Sequence, residues 1–343
     1  MIIAIIAGGS GTRLWPLSTP DYPKHLLKVN NSERSLLQHT YDRAKELGDQ
    51  IYIISEAGHI DHVKEQLPDI ADDHFVVEPA RRGTSSCIMA ALVYIEKRHG
   101  DDEPVAFMPA DHYIRDTVGF THSFKLAEDV SKSEQRLVLV GVEPDHPATG
   151  LGYIQKGDVL SEDIFVYNVH SFKEKPDYKT AKKYVDSGNY LWNAGYFVGS
   201  PGTFKRSMKE YAPDMSSSYE KLTAASGDAY NELYLGLESI SIDYALMEKV
   251  RNLLVVPASF DWMDLGSFSE LHKAIGGDHE GNHRHGPVET DEVSNSFLHN
   301  QEDKPVAVIG LDNVVVINTP DGILVARKDH AQKVGDISKR LKK

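Results

Sequence analysis

AGGSGTRLWPLSTPDYPKHLL (Ala7–Leu27) starts on the last residue of a short apolar run, Ile2–Ala7, and decides how the chain is read. Three glycines, Gly8, Gly9 and Gly11, come directly after a strand-like segment, with Arg13 behind them and Lys24 eleven positions further on. Glycine there lets the backbone turn through positive φ and approach a ligand closely, and successive N–H groups in such a loop form an anion-binding nest. Two familiar phosphate loops do not fit. The dinucleotide fingerprint G-x-G-x-x-G, counted from Gly9, needs glycine where Leu14 stands. A Walker A loop ends in Gly-Lys-Ser/Thr, and Lys24 lies too far along for that. A plain strand-to-loop turn explains the glycines by themselves. It does not explain Arg13 and Lys24, two cations whose convergence on the loop suits a polyphosphate.

Outward from this stretch, apolar runs of about five residues alternate with helix-length segments of about twelve. Strand-like IYIIS (Ile51–Ser55), HFVVE, PVAFMPADH and RLVLVGVEP alternate with helical spacing at Leu36–Leu47, before Pro68, at Ser85–Arg98 and at Phe120–Ser133. The pattern predicts βαβ units and a Rossmann-like, mostly parallel sheet flanked by helices. GYIQKG, FVYNVHSFKEKP and NAGYFVGS are strand-like and predict an insertion beside the sheet, and VRNLLVVPAS one more strand. Gly276–Pro287, rich in glycine, histidine and charge, reads as a linker. Beyond it VSNSFLHN, VAVIG, NVVVIN and GILVA predict an all-β tail whose even spacing suits a small solenoid, a short left-handed β-helix, closed by an amphipathic basic helix. The expected units are residues 1–278 and 288–343.

The 343 residues carry 37 basic and 51 acidic side chains, a net charge of −14, which repels nucleic acid and anionic membranes. An anionic substrate then needs local positive charge or a metal. Cys87 is the one cysteine, so no intrachain disulfide forms. The apolar start is too short for a leader or a span and no later run approaches about 18 apolar residues, so the expectation is a soluble, cytoplasmic protein.

With these blocks in hand, the chain resembles the sugar-1-phosphate nucleotidylyltransferases, whose signature G-G-x-G-T-R-L followed by P-K matches Gly8–Leu14 and Pro23-Lys24. WPLS, FMPADH, FKEKP, LWNAG, ISIDYALMEK (Ile240–Lys249) and DWMDLGSF resemble the mannose-1-phosphate guanylyltransferases in particular, in order along nearly the whole chain. The resemblance implies transfer of GMP from GTP to mannose 1-phosphate, giving GDP-mannose and pyrophosphate. Such phosphoryl chemistry relies on positioning and electrostatics rather than on a covalent intermediate.

The resemblance assigns residues as follows. Gly8, Gly9, Ser10, Gly11, Thr12, Arg13, Lys24, Thr84 and Asp111 bind the nucleotide. Arg13 neutralises the β- and γ-phosphates, and Lys24 sits near the α-phosphate and the incoming sugar phosphate. Asp111, at the end of a buried strand, and Asp264 hold Mg²⁺, which favours one or two carboxylates plus phosphate oxygens. An aspartate at position 111 also suits a turn or cap, and nearby Asp261 is read as structural. Lys175 grips the sugar phosphate, Glu174 and Asn193 bind sugar hydroxyls, and the backbone of Gly152 lies against the sugar; Trp192 is read as packing. Arg13, Lys24 and Lys175 are the expected catalytic residues.

Two places depart from the family pattern. E-P-x-x-R-N-T-A-P-A becomes EPARRGTSSC here, with Gly83 for asparagine and Ser85-Ser86-Cys87 for Ala-Pro-Ala, so the choice of base is open where guanine is expected to be selected. His25 replaces glutamine beside Lys24 and is expected to be packing, with pH sensitivity near neutrality as a further reading. His279, His283 and His285 read as a solvated loop rather than a metal site. The resemblance also implies a homodimer covering the tail's strand edges. Longer relatives append an isomerase domain, and isomerase activity is not expected here. Two rival readings stand: a nucleotidylyltransferase for another base or another sugar 1-phosphate, and a non-catalytic nucleotide-sugar sensor. The retained charges at positions 13, 24, 111, 175 and 264 argue against the sensor.

Overall fold

The computed structural model describes residues 1–9, 11–29, 32–161 and 164–341. Expected strands and helices appear in order: β1 (Ile2–Ile6), α1 (Leu36–Lys45), β2 (Ile51–Glu56), α2 (Ile60–Gln66), β3 (Phe75–Glu78), α3 (Gly83–His99), β4 (Val105–Pro109), α4 (Thr117–Glu134) and β5 (Val138–Val142). Local chemistry sets their ends. Ser35 and Gln38 close a capping box at the start of α1, and the Asp116 side chain accepts from Gly119 N–H at the start of α4. β1 sends Ile2 and Ala4 to one core and Ile3 and Ile5 to the other, so it is buried on both faces and reads as an unbroken apolar run.

The middle of the chain corrects one expectation. It holds β6 (Gly152–Ser161), β7 (Ile164–Lys173), α5 (Tyr178–Ser187), β8 (Tyr190–Gly199), α6 (Pro201–Tyr211), α7 (Pro213–Ala224), α8 (Gly227–Leu235) and β9 (Leu254–Pro257). These strands are not an insertion beside the sheet; they complete it, in the order β3-β2-β1-β4-β8-β5-β9-β7-β6. β8 runs antiparallel between β4 and β5 at the sheet's centre. The reason is burial: Leu191–Asn193 and Tyr196–Gly199 are covered on both sides, which only a central strand allows.

After α9 (Phe268–Ile275) the tail coils through β10 (His283–His285), β11 (Val288–Asp291), β12 (Phe297–Asn300), β13 (Val306–Ile309), β14 (Val314–Thr319) and β15 (Gly322–Arg327), ending in α10 (Val334–Leu341). Val288 pairs with Val306, Ser294 with Asp312 and Phe297 with Val315, all in parallel, which makes a coil of 18 residues. The Gly276–Pro287 segment is more than a linker. It supplies β10, and His283 is buried against Phe297 with ring centroids 4.7 Å apart. A third core, with Leu14, Leu265, Phe268, Phe297, Ile317, Leu324 and Val334, joins the tail to the loop behind the glycines. Among the described residues no helix is long and apolar enough to cross a membrane.

Candidate active site

The C-terminal ends of β1 and β4 lie side by side, because Ile6 pairs with Pro109. One releases the glycine loop and the other Asp111, at the edge where open α/β sheets bind ligands. Gly11 has φ +59 and packs against Pro23 and Thr19, so a Cβ there would fall 3.1 Å from backbone atoms of both. That contact folds the loop back on the Pro23–Lys24 segment, where Lys24 begins a single helical turn. Ser10 lies outside the described residues.

Lys24 is buried, and its ammonium lies 2.8 Å from Asp111 Oδ2 and 3.0 Å from Asp264 Oδ1, also donating to the Asp264 carbonyl. Arg13 approaches the other oxygen of Asp264 at 3.6 Å. Asp264 reaches Asp111 because Tyr113 and Met263 exchange backbone hydrogen bonds, both 3.0 Å. Gly266 leaves the space that Arg13 uses: a Cβ there would lie 2.8 Å from Nη1 of Arg13. Burial opposes the charge on Lys24, but Asp111 and Asp264 outweigh it and raise its pKa above the usual lysine value. Burial likewise works against both carboxylates, and the Lys24 ammonium overcomes it and lowers their pKa values. A cavity of about 160 Å³ opens over Gly8, Gly11, Arg13, Lys24 and Asp111, and Arg81 stands in its wall.

A second group forms around β6, β7 and β8. Gly152 pairs with Asn193 across the sheet. Glu174 lies over Gly152, is 5% exposed, and binds Lys175 Nζ at 2.9 Å through Oε1, while its buried Oε2 takes no hydrogen bond. Asn193 Nδ2 donates to Asp243 Oδ1 at 2.7 Å. Burial first, then Asp243, raises the pKa of Glu174, and burial raises that of Asp243. Beyond the paired residues, Gly195 faces Pro109 and the Tyr196 hydroxyl meets His112 Nδ1 at 2.8 Å, so β8 passes beside the segment that carries Asp111. Thr84 packs at Ile240–Ile242, where its Oγ1 accepts from Ile242 N–H at 2.9 Å.

The structure corrects the pH reading of His25. Burial lowers its pKa to about 4, so it is uncharged at neutral pH and does not titrate there. Asp261 accepts from the backbone N–H groups of Arg115 and Asp116 and from Arg115 Nε at 2.7 Å, and stays apart from the Lys24 group. Arg81 and Asp243 escaped sequence reading. Arg81 is one half of an arginine pair, and Asp243 is marked only by lying in the quoted ISIDYALMEK block. Among the described residues no cluster of three or more His, Cys, Asp or Glu side chains suits a metal.

Known proteins give this geometry a context. A family profile described as nucleotidyl transferase matches residues 3–281, and one described as a mannose-phosphate isomerase/GMP-like beta-helix domain matches residues 287–341. The chain is 34% identical over 355 residues to a mannose-1-phosphate guanylyltransferase of Escherichia coli, covering 99% of this chain and 75% of that protein. It is 34% identical over 349 residues to the mannose-1-phosphate guanylyltransferase RfbM of Salmonella typhimurium, covering 99% and 72%. A solved structure named as a mannose-1-phosphate geranyltransferase from Thermus thermophilus superimposes with a TM-score of 0.88 at 28% identity, over 100% of this chain and 99% of that one.

Proposed function

This chain belongs to the mannose-1-phosphate guanylyltransferase family of nucleotidyl transferases, and on that premise we propose that it transfers GMP from GTP to α-D-mannose 1-phosphate, releasing pyrophosphate. The observation that carries the reading is Lys24, held between two carboxylates at the floor of a glycine loop, with Arg13 on the far side of one of them.

In this reading a phosphate oxygen of mannose 1-phosphate attacks the α-phosphorus of GTP. The new O–P bond forms as the bond to the β-phosphate oxygen breaks, and pyrophosphate leaves with that electron pair. The backbone N–H groups of the glycine loop and Thr12 cradle the triphosphate. Arg13 draws charge from the leaving pyrophosphate, and Lys24 meets the α-phosphoryl oxygens. Lys175 holds the phosphate of the sugar. Glu174, whose Oε2 is buried without a donor, accepts from the sugar hydroxyls, and Asn193 can donate and accept beside it. Gly152 leaves the backbone open to the sugar ring, and Thr84 belongs to the nucleotide side. Residues 1–278 carry this chemistry and residues 288–343 support it.

The donor set fits Mg²⁺. Asp111 and Asp264 already converge on one cation, the Lys24 ammonium, and offer hard oxygens of the kind and number that Mg²⁺ takes alongside phosphates and water. Bound by these two aspartates, the ion would neutralise charge on the phosphoryl oxygens. The reading also includes a homodimer, supported by Ile323 and Val325 exposed on edge strand β15; a compact monomer by light scattering would count against it.

The deciding experiment is a panel of nucleoside triphosphates against hexose and heptose 1-phosphates, scored by pyrophosphate release with Mg²⁺ present. Preference for GTP with mannose 1-phosphate is expected. A clear preference for another pair would replace the substrates, and no release with any pair would remove the catalytic reading.

A further inference from the structure

Behind Asp111, on the α1–α4 face of the sheet, lies a cavity of about 870 Å³, separate from the glycine loop. Its walls carry His39 and Arg43 from α1 and His122 and Lys125 from α4, over an apolar floor that includes Leu36 and Ile114. Arg43 is the unusual member. It is 5% exposed, has no carboxylate in salt-bridge contact among the described residues, and leaves its buried Nε without a hydrogen bond. The ring of Phe120, 5.6 Å away, offers it a cation–π contact. A guanidinium stays charged in proteins, and a buried charge left unpaired is costly. The wall also holds Asp42 and Glu46, but Asp42 is already engaged by Arg34 at 2.7 Å and Lys45 at 3.0 Å. Neither His122 nor Lys125 has an ion-pair partner among the described residues.

Arg43 also reaches the other way. Its Nη2 donates to the His112 carbonyl at 3.2 Å and to Thr40 Oγ1 at 2.9 Å, and Thr40 Oγ1 donates to the Ala110 carbonyl at 3.2 Å. The carbonyls on both sides of Asp111 are therefore held from α1, by a residue that also lines the cavity.

We propose that this cavity is a second anion site, taking a phosphate-bearing small molecule and reporting its occupancy to Asp111 through Arg43. Guanidinium, ammonium and imidazole groups are the donors that phosphate oxygens use, and Arg43 brings a guanidinium to this wall whose Nε–H has no partner. The apolar floor and the volume, within the usual range of small-molecule pockets, leave room for more than the phosphate alone. An anion drawing Arg43 outward competes with its hold on the His112 carbonyl and so shifts the Asp111 loop. The coupling, unlike the binding, rests on Asp111 serving the reaction proposed above.

The test uses two probes, GDP and inorganic phosphate, each titrated by calorimetry into the full-length wild-type chain and into Lys125→Glu, whose exposed side chain lies on the cavity wall. The expected result is two binding events per wild-type chain, one of them weakened roughly tenfold or more in Lys125→Glu. A second event seen with GDP alone marks a nucleotide ligand, and one seen with phosphate marks free phosphate. One event per wild-type chain with both probes, or a second event unchanged in Lys125→Glu, overturns the site. Neither outcome depends on turnover, so a wrong choice of reaction does not affect it. For the coupling, GDP should lower kcat in a way that excess GTP does not reverse. Lys125→Glu should abolish that effect while keeping wild-type turnover without GDP. Inhibition fully reversed by GTP overturns the coupling.

Discussion

Glu174 places a carboxylate oxygen over the bare Cα of Gly152, so close that no side chain fits between them, and a Cβ on Gly152 would also meet Asn193 Cβ at 3.1 Å. The two partners cannot both give way, since Glu174 is buried and Asn193 is tied to Asp243. Gly152→Ala is expected to raise KM for the sugar 1-phosphate by about tenfold or more, to leave KM for the nucleotide nearly unchanged, and to cost about 1–3 kcal/mol of stability. Steady-state kinetics with each substrate varied, together with denaturant unfolding, checks this. An equal rise in both KM values would count against placing the sugar here.

Glu174 itself should give the acid limb of sugar binding. Burial and Asp243 raise its pKa above the ordinary value. The folded state therefore holds the proton more tightly than the unfolded chain does. Stability from that proton is fully present below the unfolded pKa, near 4.3, and is lost as pH rises through the raised folded value. Hydroxyl binding needs the opposite form, the ionised acceptor. KM for the sugar 1-phosphate should fall as pH rises through the folded pKa, and Glu174→Gln should flatten that dependence while stabilising the fold at neutral pH. KM measured between about pH 5 and pH 8 in both forms tests it. An unchanged profile in Glu174→Gln would rule Glu174 out as the titrating group.

Lys24 should matter to rate and to stability through the same two contacts. Lys24→Ala removes a cation from the proposed phosphoryl site and is expected to lower turnover by on the order of 10² or more, as is Arg13→Ala. It also leaves Asp111 and Asp264 without the ammonium that lowers both pKa values. Carboxylates held below their usual range stabilise the fold above the unfolded pKa, near 3.9, and lose that contribution as pH falls through the folded value. The loss in Lys24→Ala should thus be large at neutral pH, roughly 3 kcal/mol, and should shrink toward acid. Unfolding measured near pH 7 and near pH 4 gives the comparison, and a pH-independent loss would contradict it.

What the sequence disclosed follows from how local each signal is. β1 to β5 and their helices were legible because strand period, helix period and caps are each written in a few neighbouring residues. The central place of β8 was not, because strand order is decided by burial on both faces rather than by chain order. The 18-residue coil left a trace in Asn295 and Asn313, both at positive φ, and in Asn300 and Asn318, joined by a 2.9 Å hydrogen bond, but these pairs are too sparse to be read as a repeat without the coil. Asp111, Glu174 and Asp264 sat in distinctive blocks. Gly83 was harder. It has φ +80 and packs on the Ile240 carbonyl with no room for a Cβ, so glycine there answers to a backbone contact visible only in three dimensions.

The tail's grip on the glycine loop supplies the last prediction. Gly322, at the start of β15, has φ +147, and a Cβ on it would lie 2.7 Å from Cζ2 of Trp15. Trp15 ends the turn that carries Arg13, and Gly335 of α10 packs beside Arg13 itself, with a Cβ position 3.5 Å from its Cγ. Gly322→Val should push Trp15 and shift Arg13 without touching Lys175 or Glu174. Because Arg13 is assigned to the leaving pyrophosphate, kcat should fall by about tenfold or more while KM for the sugar 1-phosphate holds. Its inhibition constant for pyrophosphate should rise in step. If kcat falls but pyrophosphate still binds as in the wild type, the tail acts on some group other than Arg13.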